Sequence, residues 1–206
     1  MVSLSEILLP FAGQRLTEWF SDLTELWHNT APLAPEDHFS PKGMTQWSHY
    51  NNYILWHLED EARRQDLQPV EIVKYKRQID RYNQQRNDAI ERIDTWLETV
   101  LTNAGITPSK EVETNSETPG SIIDRLSILT LKIYHWREES VRENVTLEHR
   151  DVAKARLHVL FEQLHDLQRS LDKLLLELRQ ASKRHRVYRQ FKMYNDPNLN
   201  PAIYKK

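Results

Sequence analysis

The sequence contains no cysteine. Disulfides, thiolate nucleophiles and sulfur-based zinc sites are thereby excluded, and His, Asp and Glu remain as the strong metal ligands. Glycine is scarce, four residues in 206, and alternating β-branched runs are nearly absent, so the chain predicts helices rather than sheet. No apolar stretch approaches the roughly 18 residues a membrane-spanning helix requires. The opening residues, MVSLSEILLPF, carry no basic leader and only a short apolar run, so no signal peptide is expected and the reading is a cytoplasmic protein. A Gly-rich phosphate loop is missing, as is a strand-turn-helix elbow around any serine, which removes P-loop chemistry and a serine triad of the hydrolase type.

What is present is a well-solvated globular composition, 39% hydrophobic and 28% charged, on a chain long enough to bury a sizeable core as one domain spanning residues 1–206. The formal charge of -2 conceals an asymmetry: residues 183–206 hold seven Lys or Arg against one Asp, so a +6 tail faces a -8 body. The expected architecture is an all-α bundle of about five or six helices, with a long heptad-patterned helix near the C-terminus and an extended basic tail.

Ser3 and Glu6 suggest a capping box opening a short helix that Pro10 stops. Leu16, Trp19, Phe20, Leu23, Leu26 and Trp27 recur at helical spacing and predict an amphipathic helix over about 13–28. Three prolines make residues 29–43 a loop. After Pro69 no Pro or Gly occurs through residue 104, which predicts one long helix, with Ile72, Tyr75, Ile79, Tyr82, Ile90, Ile93, Trp96 and Leu97 as its buried stripe. Residues 105–121, GITPSKEVETNSETPGS, read as an internal loop, and the mostly apolar segment after it as the central helix. A final helix is expected over about 145–188, with a seam at Leu160, Leu164, Leu167, Leu171, Leu174, Leu178 and Ala181. That seam serves either intramolecular packing or a homodimer. The tail carries Phe191, Met193, Tyr194, Leu199 and Tyr204, apolar enough to predict docking back onto the body and closure of a polar site.

The chemistry concentrates in residues 46–64, QWSHYNNYILWHLEDEARR, one helix with two unlike faces. Ile54, Leu55, Leu58 and Ala62 share one side; His49, Asn52, Tyr53, Trp56, Asp60 and Arg63 share the other, a mixture suited to a helix beside a polar pocket. Arg86 falls inside an apolar arc and needs a carboxylate, for which Asp60 is the expected partner. Asp124 either closes a helix start with Ser121 or faces the pocket, and Arg125 and Lys132, two turns apart, are candidates to grip an anion. The candidate ligand-binding set is therefore His49, Asn52, His57, Asp60, Arg63, Asn83, Arg86, Asp124, Arg125, Lys132, Tyr194 and Asn195. His49, His57 and Asp60 invite a metal, but one helix supplies too few ligands without help from Asp80 or Asp94, so none tightly bound is expected. Glu91 and Asp94 match half of a paired ExxE/ExxD magnesium site and lack the other half. The alternative for all these groups is a hydrogen-bonded polar interior. Basic and aromatic residues interleave in KRHRVYRQFK, yet an acidic body without a recognised motif argues against nucleic acid.

Four blocks, HYNNYILWHLEDEAR, KRQIDRYNQQRNDAIERID, ETPGSIIDRLSILTLKIYH and KMYNDPNLNP, together resemble an uncharacterised bacterial family, a domain of unknown function of about this length. The resemblance implies a single all-helical domain, with genes often among glycosyltransferase genes for lipopolysaccharide or other surface polysaccharides. It names no catalytic residue. Two functions follow as expectations: an accessory protein binding a glycosyltransferase-pathway partner or an anionic small molecule such as a phosphorylated sugar, or an enzyme acting on a phosphate-bearing or sugar-nucleotide substrate, metal-assisted or not.

Overall fold

The computed structural model describes residues 4–191 and 196–204. A short helix, α1 (Leu4–Leu8), passes into a 3-10 turn (Leu9–Phe11) at Pro10. Then come α2 (Gly13–Asn29), α3 (Pro41–Ala62), α4 (Pro69–Asn103), α5 (Pro119–Val141), α6 (Leu147–Arg179) and the single turn α7 (Pro201–Tyr204). Among the described residues there is no strand, only one isolated bridge between Thr114 and Arg184. No helix among them is long and apolar enough to cross a membrane. The capping box expected at Ser3 lies outside the described residues.

Each long helix starts where local chemistry permits. Ser40 caps α3 by accepting from the Gly43 amide at 3.1 Å, Gln68 N donates to Glu71 at the start of α4, and Thr146 accepts from His149 N at the start of α6. Pro41, Pro69 and Pro119 occupy first-turn positions, where the missing N–H is no loss. α5 is central: it packs on α2, α3, α4 and α6. Phe11, Phe20, Ile93, Leu97, Ile123, Leu126 and Leu171 are completely buried around it.

Two expectations, the end of α6 and the stripe of α4, are corrected. α6 ends at Arg179 rather than near 188, because Ala181 adopts φ 55° and Ser182 N folds back to Glu177 O, closing the helix in a Schellman-like stop. Of the seam, Leu171, Leu174 and Leu178 enter the core within the chain, while Leu164 and Leu167 pack at its edge. Ile72 is not part of the α4 stripe: it is 42% exposed.

The tail leaves α6 and runs back along α4 and the internal loop. Arg184 N bonds Glu113 O and its guanidinium reaches Thr114 and the Lys110 carbonyl; Lys183 pairs with Glu113. His185 bonds the Asp94 carbonyl at 2.9 Å, and Gln190 N donates to Glu91. Apolar anchoring does not occur at Phe191, which is 86% exposed.

Candidate functional site

The polar face of α3 meets α2, α4 and α5 in two different ways, one closed and one open. The closed part is a directional hydrogen-bond chain. The Thr24 hydroxyl donates to Phe20 O at 2.7 Å, so it accepts from His49 Nε2 at 3.0 Å. His49 Nδ1 then accepts from the Ser127 hydroxyl at 2.8 Å. Ser127 in turn accepts from Asn52, which also donates to Asp124 Oδ1 at 2.9 Å. Arg86 completes the chain with two parallel bonds to Asp124, Nε to Oδ1 at 2.8 Å and Nη2 to Oδ2 at 2.6 Å. His49 is fully buried, its ring stacked between Phe20 and Trp27, and burial pushes its pKa down to about 3. The bidentate bond to Asp124 holds the Arg86 guanidinium above its ordinary value.

The predicted partner of Arg86 is therefore corrected. The carboxylate is Asp124 of α5, whereas Asp60 lines an open groove beside the pair. Asp124 does not cap its helix either. Thr118 and Ser121 form that box, and Asp124 is buried.

The open part is a groove of about 360 Å³ between α3, α4 and α5, lined by Asn52, Leu55, Trp56, Glu59, Asp60, Arg63, Asn83, Arg86, Ile128 and Leu131. Its size falls at the lower end of small-ligand pockets. The lining carries two cations, Arg63 and Arg86, and two carboxylates, Glu59 and Asp60. Arg63 is 68% exposed and pairs with Glu59 on its own helix, a contact weak enough to exchange for a ligand. Arg125 and Lys132 are not brought to the groove: Arg125 pairs with Glu117 at the surface, and Lys132 points to solvent. Tyr194 and Asn195 lie outside the described residues, and no described tail residue lines the groove.

His57 faces away from the groove, into a cluster that sequence reading missed. Its ring stands 5.1 Å from that of His28 and 5.6 Å from that of His135, and the latter two are 5.1 Å apart. The interplanar angles of 67°, 70° and 78° arrange the three like propeller blades. Trp56 stacks on His135 at 4.8 Å and Tyr134 on His28 at 4.1 Å. Burial, with the neighbouring imidazoles, lowers the pKa of His57; burial also lowers that of His135. His28 and His135 sit on α2 and α5 as single histidines, so no spacing within either helix announces the cluster. Asp94, considered for a magnesium pair, instead accepts from the Gly120 amide at 2.8 Å, and burial raises its pKa.

No curated protein and no solved structure matches the chain. Residues 43–187, from the first turn of α3 to the beginning of the tail, match the family model described as Protein of unknown function (DUF4254), and the chain belongs to that family.

Proposed function

We propose that this is a binding protein whose groove between α3, α4 and α5 takes a small polar ligand with one anionic group, a sugar phosphate by chemistry, in the setting of surface-polysaccharide assembly. One observation carries the reading: Trp56, the amides of Asn52 and Asn83, and two guanidiniums line a single open groove of about 360 Å³. An indole offers apolar area to a sugar ring, amides and carboxylates suit its hydroxyls, and a guanidinium suits a phosphate oxygen pair. The equal numbers of cations and carboxylates favour one anionic group over a polyphosphate. Arg63 is the ligand-exchangeable cation, and Arg86, fixed by Asp124, supplies a preorganised edge.

Calorimetric titration with a hexose 1-phosphate, the neutral hexose and inorganic phosphate tests this. The sugar phosphate should bind more tightly than either fragment, and Arg63→Gln should weaken it about tenfold, the effect of losing one charge-assisted bond of roughly 1.5 kcal/mol. Absence of heat with the sugar phosphate, or equal affinity in Arg63→Gln and Asn83→Ala, overturns the reading.

A further inference from the structure

We propose that His28, His57 and His135 form a site for one divalent transition cation of the zinc type, held by three imidazole nitrogens. One ring nitrogen of each lies within 4.8 Å of the other two, and the three come from α2, α3 and α5. The Nε2 atoms of all three are buried without a hydrogen-bond partner, although most buried polar atoms in a folded protein have one. Ring packing among aromatics accounts for the position of the imidazoles and leaves these nitrogens unexplained.

Their tautomers sharpen the point. His28 Nδ1 lies 2.7 Å from the Thr24 carbonyl, which can only accept, so the proton is on Nδ1 and the Nε2 lone pair is bare. His135 Nδ1 faces the Glu138 carboxylate at 3.1 Å, with the same consequence. Two bare, buried lone pairs cannot satisfy each other. A proton on His57 Nε2 satisfies at most one of them; a cation satisfies all three. The outer contacts are also those of metal-bound histidines, whose second nitrogen donates to a backbone carbonyl or a carboxylate.

The ligand set selects the ion. Three neutral nitrogens suit zinc, copper, nickel or cobalt, and not magnesium or calcium, which take oxygen. At a metal–nitrogen distance of about 2.0–2.1 Å, tetrahedral ligand atoms stand roughly 3.3 Å apart, so small imidazole rotations close the site. Three protein ligands leave the fourth position for water or an exogenous ligand, the arrangement of open rather than purely structural zinc centres. The sequence places His57 on one helix with His49 and Asp60, and one helix supplies too few ligands for a tightly bound metal. Both ring nitrogens of His49 are already engaged, and it is two other helices that bring the additional imidazoles to His57.

The full chain, stripped with a chelator and titrated with Co²⁺, reads the site directly. The expected result is one Co²⁺ per chain with a visible d–d absorption band of a low-coordinate nitrogen site, displaced by Zn²⁺, and a raised melting temperature with Zn²⁺. His57→Gln and His135→Gln should each weaken binding at least about tenfold, while His158→Gln, on the exposed face of α6, leaves it unchanged. Circular dichroism of the metal-free variants identifies any that fails to fold. The parent alone is decisive: no stoichiometric band and no Zn²⁺-dependent shift in melting temperature refutes the site, as does unaltered binding in both folded triad variants.

Discussion

His49 shows what a buried imidazole does when both its nitrogens are satisfied. Between Thr24 and Ser127 it is a relay in a structural chain, held neutral by its burial, with a pKa pushed down to about 3 against an ordinary 6.5. The unfolded chain therefore takes up a proton near pH 6.5 that the folded protein refuses until about pH 3. Throughout that window the unfolded state binds more protons, so stability falls as pH falls, by up to roughly 1.4 kcal/mol per pH unit for this group. His57 and His135, whose values are also lowered, act in the same direction. Urea unfolding between pH 7 and 5 should show decreasing stability, with a shallower slope in a folded His49→Gln variant. A slope unchanged by that substitution would show that His49 titrates normally.

At the scale of elements, α4 and α5 are joined by the Arg86–Asp124 pair, with Asp124 only 4% and Arg86 29% exposed. Breaking such a pair strands the buried partner. Arg86→Met is expected to cost about 3 kcal/mol, and adding Asp124→Leu should recover much of it, because the desolvated carboxylate goes with it. Chemical denaturation of the two variants measures both. A single substitution without effect, or a double one that only worsens the loss, would contradict the geometry. The existence of this pair was legible in the sequence, since an Arg within the apolar arc of residues 72–97 demands a carboxylate. Its identity was not, because Asp124 is 38 positions away on a helix whose own start offers a competing capping role. The helices themselves were readable from their 3.6-residue periodicity, but not their starts: Pro41 and Pro119, expected in loops, open α3 and α5. The end of α6 was not, because it depends on a left-handed alanine, and no glycine marks the stop. The groove was half readable: α3 and α4 supply residues that local spacing places on one face, whereas Arg125 and Lys132 carried the right charge on a face that turns outward. The histidine cluster was invisible, since each of its members comes from a different helix.

Over the whole molecule, the acidic body and basic tail do meet. Residues 183–190 reach Glu113, Glu91 and the Asp94 carbonyl by hydrogen bonds and ion pairs, mostly near the surface. Such contacts contribute on the order of 0.5–1.5 kcal/mol each where they are not fully exposed, and much less where they are. Truncation after Ala181 should lower the melting temperature by roughly 2–8 °C, at about 2–4 °C per kcal/mol for a chain of this size. It should also release residues 106–116 of the internal loop to proteases, because Thr114 and Lys110 lose Arg184. An unchanged melting temperature with a resistant loop would mean that the tail contacts contribute nothing.

The exposure of Ile72 is shared by the whole start of α4, which overhangs the bundle. Residues 69–78 are all exposed except Tyr75, which touches Glu61 at 3.4 Å, so nearly three turns of helix project with little to pack against. A free peptide of that length would be mostly coil, since nucleation is the unfavourable step. Here the rest of α4 is the nucleus, and the overhang need only propagate from it. It can therefore melt and re-form turn by turn while the bundle beneath stays folded, a local opening decoupled from global unfolding. Val70, Ile72 and Val73, 42–62% exposed on those turns, come and go with it.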